Sequence, residues 1–270
     1  MREILIVGAG GYIGSRLLHK LRTEGIEPQT QDRNIYGRND DLGVGTGDTA
    51  DSCTEHFRDA VVVYLASFHR EPKDFTPKDV AAYKKLMVEL PCKIADVAAH
   101  TVYVSSMRSI TDSESLYGKM KLMAERNLIS RRATIVRPGT VWGSLDPRLP
   151  SRCNTALNFA LTRRRFEGDH WQAFTTHMDL LVRYLSGVSH RNACGTTPMA
   201  PIGEIHNITD LPVPLESDGL RALLDGKAVP NTPMVQTFAR ELERTEHLKL
   251  DLDEDVRAQV RLRQYYGLSV

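Results

Sequence analysis

The sequence predicts an α/β protein: a doubly wound parallel sheet with helices on both faces and a small C-terminal lobe. Three observations predict it. Short all-apolar runs, Ile4–Val7 and Val61–Leu65 among them, alternate with helix-patterned stretches through the first half. A glycine-rich turn, Gly8-Ala9-Gly10-Gly11-Tyr12-Ile13-Gly14, joins the first run to the first helical stretch. The chain has 270 residues, 41% of them apolar. That length can bury roughly 70–75% of the unfolded surface without staples.

The elements follow in order. Ile4–Val7 is an apolar run suited to a strand buried on both faces. Tyr12–Arg22 carries Ile13, Leu17, Leu18 and Leu21 on one helical stripe, with Gly25 placed as a C-terminal cap. A second strand belongs near Ile26–Gln31, although Glu27, Pro28, Gln29 and Gln31 suit a buried strand poorly. Val61–Leu65 reads as a buried strand, and Thr76-Pro77 opens a helix that Pro91 must break or kink. Thr101–Val104, helix Tyr117–Ser130 and Ala133–Val136 come next. Beyond about residue 144 the alternation weakens. A strand at Ile205–Ile208 and a charged helix near Leu252–Tyr265 are expected there.

Composition removes several classes of function. Lys+Arg is 35 and Asp+Glu is 34, which argues against a sequence-independent nucleic-acid binder. Cys53, Cys92, Cys153 and Cys194 form no CxxC and no zinc spacing, so no metal is expected and reduced thiols in a cytoplasmic protein are. No run of 18 apolar residues predicts a membrane span.

The glycine turn follows a strand and opens a helix. Such a turn lets a pyrophosphate approach bare backbone, and the helix N-terminus offers amide donors. Asp32 lies eighteen residues after Gly14, where an acid can bind both hydroxyls of an adenosine ribose. Arg33 beside it would instead favour a 2′-phosphate, so NAD is expected with NADP left open. A structural turn with a solvated acid is the bland alternative.

Ser105-Ser106 ends the strand Thr101–Val104, and Tyr117 follows Ser106 by eleven residues. Tyr117 and Lys121 are four apart and share one helix face. A free tyrosine, with a pKa of about 10, is a poor base at neutral pH. A nearby ammonium favours its phenolate, and a serine hydroxyl can hold the substrate oxygen beside it. Tyr and Lys at this spacing also occur by chance. The glycine turn upstream is what gives the set its meaning.

These residues resemble the extended short-chain dehydrogenase/reductases, the NAD-dependent epimerase/dehydratase family. The resemblance covers nearly the whole chain and is strongest in the first 145 residues. It implies a Rossmann-type sheet, with 1–145 as the NAD(P)-binding domain and 177–209 returning to the sheet. Segments 146–176 and 210–270 then form the substrate lobe. Gly8, Gly11, Tyr12, Ile13 and Gly14 match the cofactor turn, Asp32 the ribose acid, and Asp48-Thr49 the residues flanking adenine. Leu65-Ala66-Ser67 matches the strand end that lines the cofactor. Ser106, Tyr117 and Lys121 match the catalytic set, with Tyr117 and Lys121 also contacting cofactor. Arg137-Pro138-Gly139-Thr140-Val141-Trp142-Gly143 is very close to the segment that places nicotinamide and substrate, which implicates Pro138, Thr140 and Val141. Asn158 and Arg165 sit where the family binds a nucleotide diphosphate. The resemblance implies a nucleotide-sugar substrate and often a homodimer.

There are departures. Met107-Arg108 stands where the dehydratases carry Asp-Glu, so a 4,6-dehydratase is not expected. The interval between Ser106 and Tyr117 is short, with Ile110-Thr111 in place of a usual Tyr-Gly. Shifting the strand by one residue would put Met107 in the slot of Ser106. Arg163-Arg164-Arg165 is the only dense basic run, suited to a diphosphate or to a solvated helix end. His177 near Asp179 is a candidate extra acid or base, though a structural role is the commoner one for such a histidine. The expected activity is sugar epimerisation, with keto-reduction and a non-catalytic dinucleotide-binding module as alternatives.

Overall fold

The computed structural model describes residues 1–31, 56–67, 77–144, 156–163, 172–195, 203–225 and 233–245. Apolar side chains on both faces make Ile4–Val7 (β1), Val61–Tyr64 (β3) and His100–Val104 (β4) buried throughout. With Gln29–Gln31 (β2), Ala133–Pro138 (β5) and Glu204–Ile208 (β9) they form one six-stranded sheet in the order β2-β1-β3-β4-β5-β9. The pairings β2-β1, β1-β3, β3-β4 and β4-β5 are parallel. From β1 the chain steps to β2 on one side and then to β3 on the other. The topological switch point therefore lies between the carboxyl ends of β1 and β3.

The second strand is shorter than its expected range of Ile26–Gln31. Tyr12–Thr23 (α1) ends in a glycine cap, with Gly25 N–H donating to Arg22 O and Ile26 N–H to Leu21 O. Ile26 is used by that cap, and Gly25 takes φ +77° to make it. Polar, mostly exposed Gln29–Gln31 is what remains of the strand.

Pro77–Lys84 (α2) runs through a π-helical turn, Lys85–Glu89, into Leu90–Val97 (α3). Pro91 has no N–H to give to Leu86 O or Met87 O. Those carbonyls accept Tyr64 Oη at 2.6 Å and Tyr103 Oη at 3.1 Å, donated from β3 and β4. The expected break is thus a π-turn whose freed acceptors the sheet satisfies. Arg108–Thr111 (α4) and Leu116–Leu128 (α5) precede β5. Tyr64, Tyr103, Leu5, Val62 and Ile135 pack with Tyr83, Met87, Ile94, Met120, Ala124 and Leu128 in one core. Ile6, Val63, Val102 and Val136, on the opposite face, are fully buried too.

The remaining described elements are Thr140–Trp142 (β6), Ala156–Arg163 (α6), Gln172–Ala173 (β7), Thr175–His177 (β8), Met178–Cys194 (α7), Leu215–Glu216 (β10), Ser217–Leu224 (α8) and Pro233–Thr245 (α9). The chain divides into two compact units, Met1–Arg137 with Val182–Asn207, and Pro138–Leu181 with Ile208–Val270. The second has its own core of Trp142, Leu157, Ala160, Leu161, Leu220, Met234 and Phe238. The helix expected near Leu252–Tyr265, Thr76 before the helix at Pro77, and the thiols Cys53 and Cys153 lie outside the described residues. Cys92 and Cys194 are free thiols. Among the described residues no helix is long and apolar enough to cross a membrane.

Candidate functional site

The glycine turn leaves β1 and abuts the end of β3. Gly8 has φ +90°, and a Cβ there would meet Ala66 N at 3.0 Å and Leu65 C at 3.2 Å. At Gly14 a Cβ would lie 2.2 Å from Gly8 O, so the start of α1 rests directly on the turn. Tyr12 and Ile13 form the first turn of α1, which holds no acidic residue. The residues present fit a pyrophosphate: bare backbone, a helix N-terminus and no competing carboxylate. Leu65-Ala66-Ser67 follows β3 at the switch point. Asp32, Arg33, Asp48 and Thr49 lie outside the described residues. So does Arg165.

The second part of the first unit's site lies where β4 ends. Ser115 caps α5, accepting Gly118 N–H at 3.1 Å. Gly118 lets α4 approach, since a Cβ there would fall 2.0 Å from Asp112 O and 2.8 Å from Arg108 O. Tyr117 and Lys121 are both buried on this helix. Lys121 Nζ donates to Val104 O at 2.8 Å, lies 4.8 Å from the Tyr103 ring centroid and 5.8 Å from that of Tyr117. Burial pulls its ammonium down to about 7, while the Glu125 carboxylate works the other way.

The two serines differ. Ser105 is buried and its Oγ donates to Glu125 Oε1. Ser106 is half-buried, and its Oγ accepts Arg108 N–H at 3.2 Å. Met107 is buried and caps α4. Arg108 is engaged locally. Its guanidinium donates to Asp112 at 2.8 and 2.5 Å and to Ser115 Oγ at 3.2 Å, and it lies 5.1 Å from the Tyr117 ring centroid. Burial raises the Asp112 carboxyl, but the hydrogen bonds from Arg108 and Ser115 outweigh it and hold the group below its usual value.

Sequence reasoning missed Glu125. It lies one turn beyond Lys121 on the same face, 2% exposed, and accepts Arg137 Nε at 3.0 Å and Nη2 at 2.5 Å. The signal was available: a helix face with Tyr117, Lys121 and Glu125 at four-residue steps.

In the second unit, Thr140 N–H donates to Phe174 O at 2.6 Å, and Val141 is buried in β6 beside β8. Pro138 ends β5 and is buried. Asn158 is fully buried, its Oδ1 accepting Gly143 N–H at 2.9 Å beneath a turn with φ +82°. His177 packs edge-on against Trp142, its Nδ1 accepts Asp179 N–H at 3.3 Å, and its Nε2 lies 3.4 Å from Glu241 Oε1 without hydrogen-bond alignment. Trp142 Nε1 donates to Asp210 Oδ2 at 2.7 Å. Among the described residues no His, Cys, Asp and Glu group could hold a metal ion.

Comparison with solved structures finds the same architecture. MoeE5 in complex with UDP-glucose and NAD is 17% identical, with 90% of this chain and 98% of that one covered and a TM-score of 0.62. UDP-N-acetylglucosamine 4-epimerase from Bacillus cereus is 12% identical, with 93% and 98% covered and a TM-score of 0.63. This chain has their fold. It is shared also with TunA, an NAD-dependent NDP-hexosamine 5,6-dehydratase of tunicamycin biosynthesis, at 18% identity, 97% and 98% coverage and a TM-score of 0.58. No protein-family model and no curated protein matches the sequence.

Proposed function

We propose that this chain is an NAD(P)-dependent enzyme that moves a hydride at a carbinol or keto carbon of a nucleotide-activated sugar, in an epimerase-type cycle. The observation that carries this reading is Lys121. It is a buried amine bonded to the last carbonyl of β4, one helical turn from Tyr117, in the unit that also holds the glycine turn. MoeE5 with UDP-glucose and NAD supports the cofactor and substrate classes.

Nicotinamide, when bound, supplies the hydride acceptor and donor. Tyr117, as phenolate, takes the proton from the substrate hydroxyl as that carbon becomes a carbonyl, and returns it when the hydroxyl re-forms. Lys121 supplies the positive charge that favours the phenolate. Ser106 holds the substrate oxygen. Gly8, Gly11, Tyr12, Ile13 and Gly14 would seat the pyrophosphate, with Leu65, Ala66, Ser67 and Pro138 lining the cofactor and Asp32 choosing the ribose. Thr140, Val141, Asn158 and Arg165 are proposed for the substrate side. Water elimination of the 4,6-dehydratase type is disfavoured, because Met107 is apolar and Arg108 is committed to Asp112. Keto-reduction by the same three residues is the second reading. It is favoured by the short helix α4, which fills the interval before Tyr117.

The test is to purify the chain without added cofactor, denature it and identify the released nucleotide by mass. Stoichiometric NAD retained through purification is expected for the epimerase. An empty protein that binds NADH or NADPH reversibly would favour the reductase. Failure to bind any nicotinamide nucleotide would overturn both.

A further inference from the structure

Three charged or hydroxyl groups behind the Tyr117–Lys121 pair have no part in the chemistry above: Glu125 and Ser105, both buried, and Arg137, which is partly so. Glu125 is held by a bidentate guanidinium, Arg137 at 3.0 and 2.5 Å, and by the Ser105 hydroxyl. Each donor comes from a different strand end: Ser105 directly follows β4, and Arg137 is the penultimate residue of β5. The acceptor sits on α5, the helix that carries Tyr117 and Lys121. One carboxylate therefore ties both strand ends to that helix. Ser105 is also the residue before Ser106, so the tie sets where the next hydroxyl lies.

The charge arithmetic points the same way. Lys121 is 2% exposed, with one neutral hydrogen-bond acceptor, Val104 O. Burial pulls it toward neutrality, and Glu125 is the group that opposes the loss. The groups facing this site are Tyr117 and Glu125 from α5, Tyr103 from β4, Arg137 from β5, Arg108 from α4, Tyr83 from α2 and Cys92 from α3. Of these, Glu125 is the one carboxylate.

We propose that Glu125 is a positioning residue: clamped by Arg137 and Ser105, it sets its carboxylate one helical turn from Lys121 and holds Ser106 in register with Lys121 and Tyr117. The inference rests on Tyr117 as the proton-transfer group. Its readout is the ionisation of Lys121, which needs no substrate. The Cε chemical shifts of 13C-labelled lysines are titrated by NMR in the full chain and in Lys121→Met. The signal missing from that variant is the one of Lys121.

In Glu125→Gln the Lys121 midpoint should fall by roughly one unit or more, because the carboxylate that favours the ammonium is gone. Glu125→Asp should recover part of the shift. Glu125→Gln leaves Arg137 unpaired and threatens folding, so the double variant Glu125→Leu/Arg137→Met is the second measurement. Replacing a buried ion pair by apolar residues of similar size is commonly tolerated. A merely structural pair predicts an unchanged Lys121 midpoint in that variant, and the proposal predicts the same downward shift. An unchanged midpoint in a folded double variant overturns the role of Glu125. The functional reading stands or falls separately: full turnover in Tyr117→Phe would remove it whatever Glu125 does.

Discussion

At the scale of single residues, two buried bases make opposite demands on pH. Lys121 titrates near 7 in the fold against an ordinary 10.5, so between those values the unfolded chain holds more protons. Stability therefore rises with pH across that window, and the cost of the buried ammonium is complete below 7. Lys121→Met should melt higher than the parent below neutrality, with the advantage fading toward pH 10.5. Parallel melting curves across that range would contradict it. His100 is the second. Burial lowers its imidazole to about 4 from 6.5, with Glu204 pulling the other way, and its Nε2 meets Thr134 Oγ1 at 3.0 Å. The neutral ring contributes its stability in full above 6.5, and this is lost as pH falls through about 4. The loss is on the order of 3 kcal/mol. His100→Gln should flatten the acid limb of the unfolding free energy, measured by urea titration at several pH values. Neither base is visible as buried in the residues alone, because burial depends on which elements later cover a strand end or a helix face.

At the scale of elements, glycines and Pro91 show how local chemistry sets geometry. A methyl at Gly14 or Gly118 would strike backbone at 2.2 and 2.0 Å. Gly14→Ala and Gly118→Ala should each cost about 1–3 kcal/mol in denaturant unfolding, by forcing backbone apart. Gly25 has open space around its Cα, and Gly25→Ala should cost only the left-handed strain, about 1 kcal/mol. Equal losses at all three positions would contradict the close-approach argument. The π-turn makes a coupled prediction. Tyr103→Phe leaves Met87 O without its hydroxyl donor, at about 1–3 kcal/mol. Pro91→Ala restores a backbone N–H next to that carbonyl, so the Tyr103→Phe cost should shrink in the Pro91→Ala background. A double-mutant cycle checks it. The kink was legible from Pro91. That tyrosines of β3 and β4 would serve the freed carbonyls was not, since they lie far along the chain and meet it only in the folded core. The long helix Met178–Cys194 was not among the elements expected beyond residue 144, although Met178, Leu181, Val182, Leu185 and Val188 repeat at helical spacing and are buried.

At the scale of the whole molecule, the parallel sheet and the glycine turn at β1 were readable because their signals are local. An apolar run, a glycine and a helix stripe each act within a few residues. Tyr117 and Lys121 were readable for the same reason, being four apart on one helix. Tyr117→Phe should abolish hydride exchange while leaving the melting temperature near that of the parent, and full exchange would refute the acid–base role. Tertiary packing decided the rest. It committed Arg108 to Asp112, buried Asn158 under the Gly143 turn, divided Ser105 from Ser106 by burial and set Glu125 between Arg137 and Lys121. Each of these outcomes turns on which polar group finds a partner out of water. That partner is named by residues distant in sequence, because an unpaired buried charge costs more than any local preference can return.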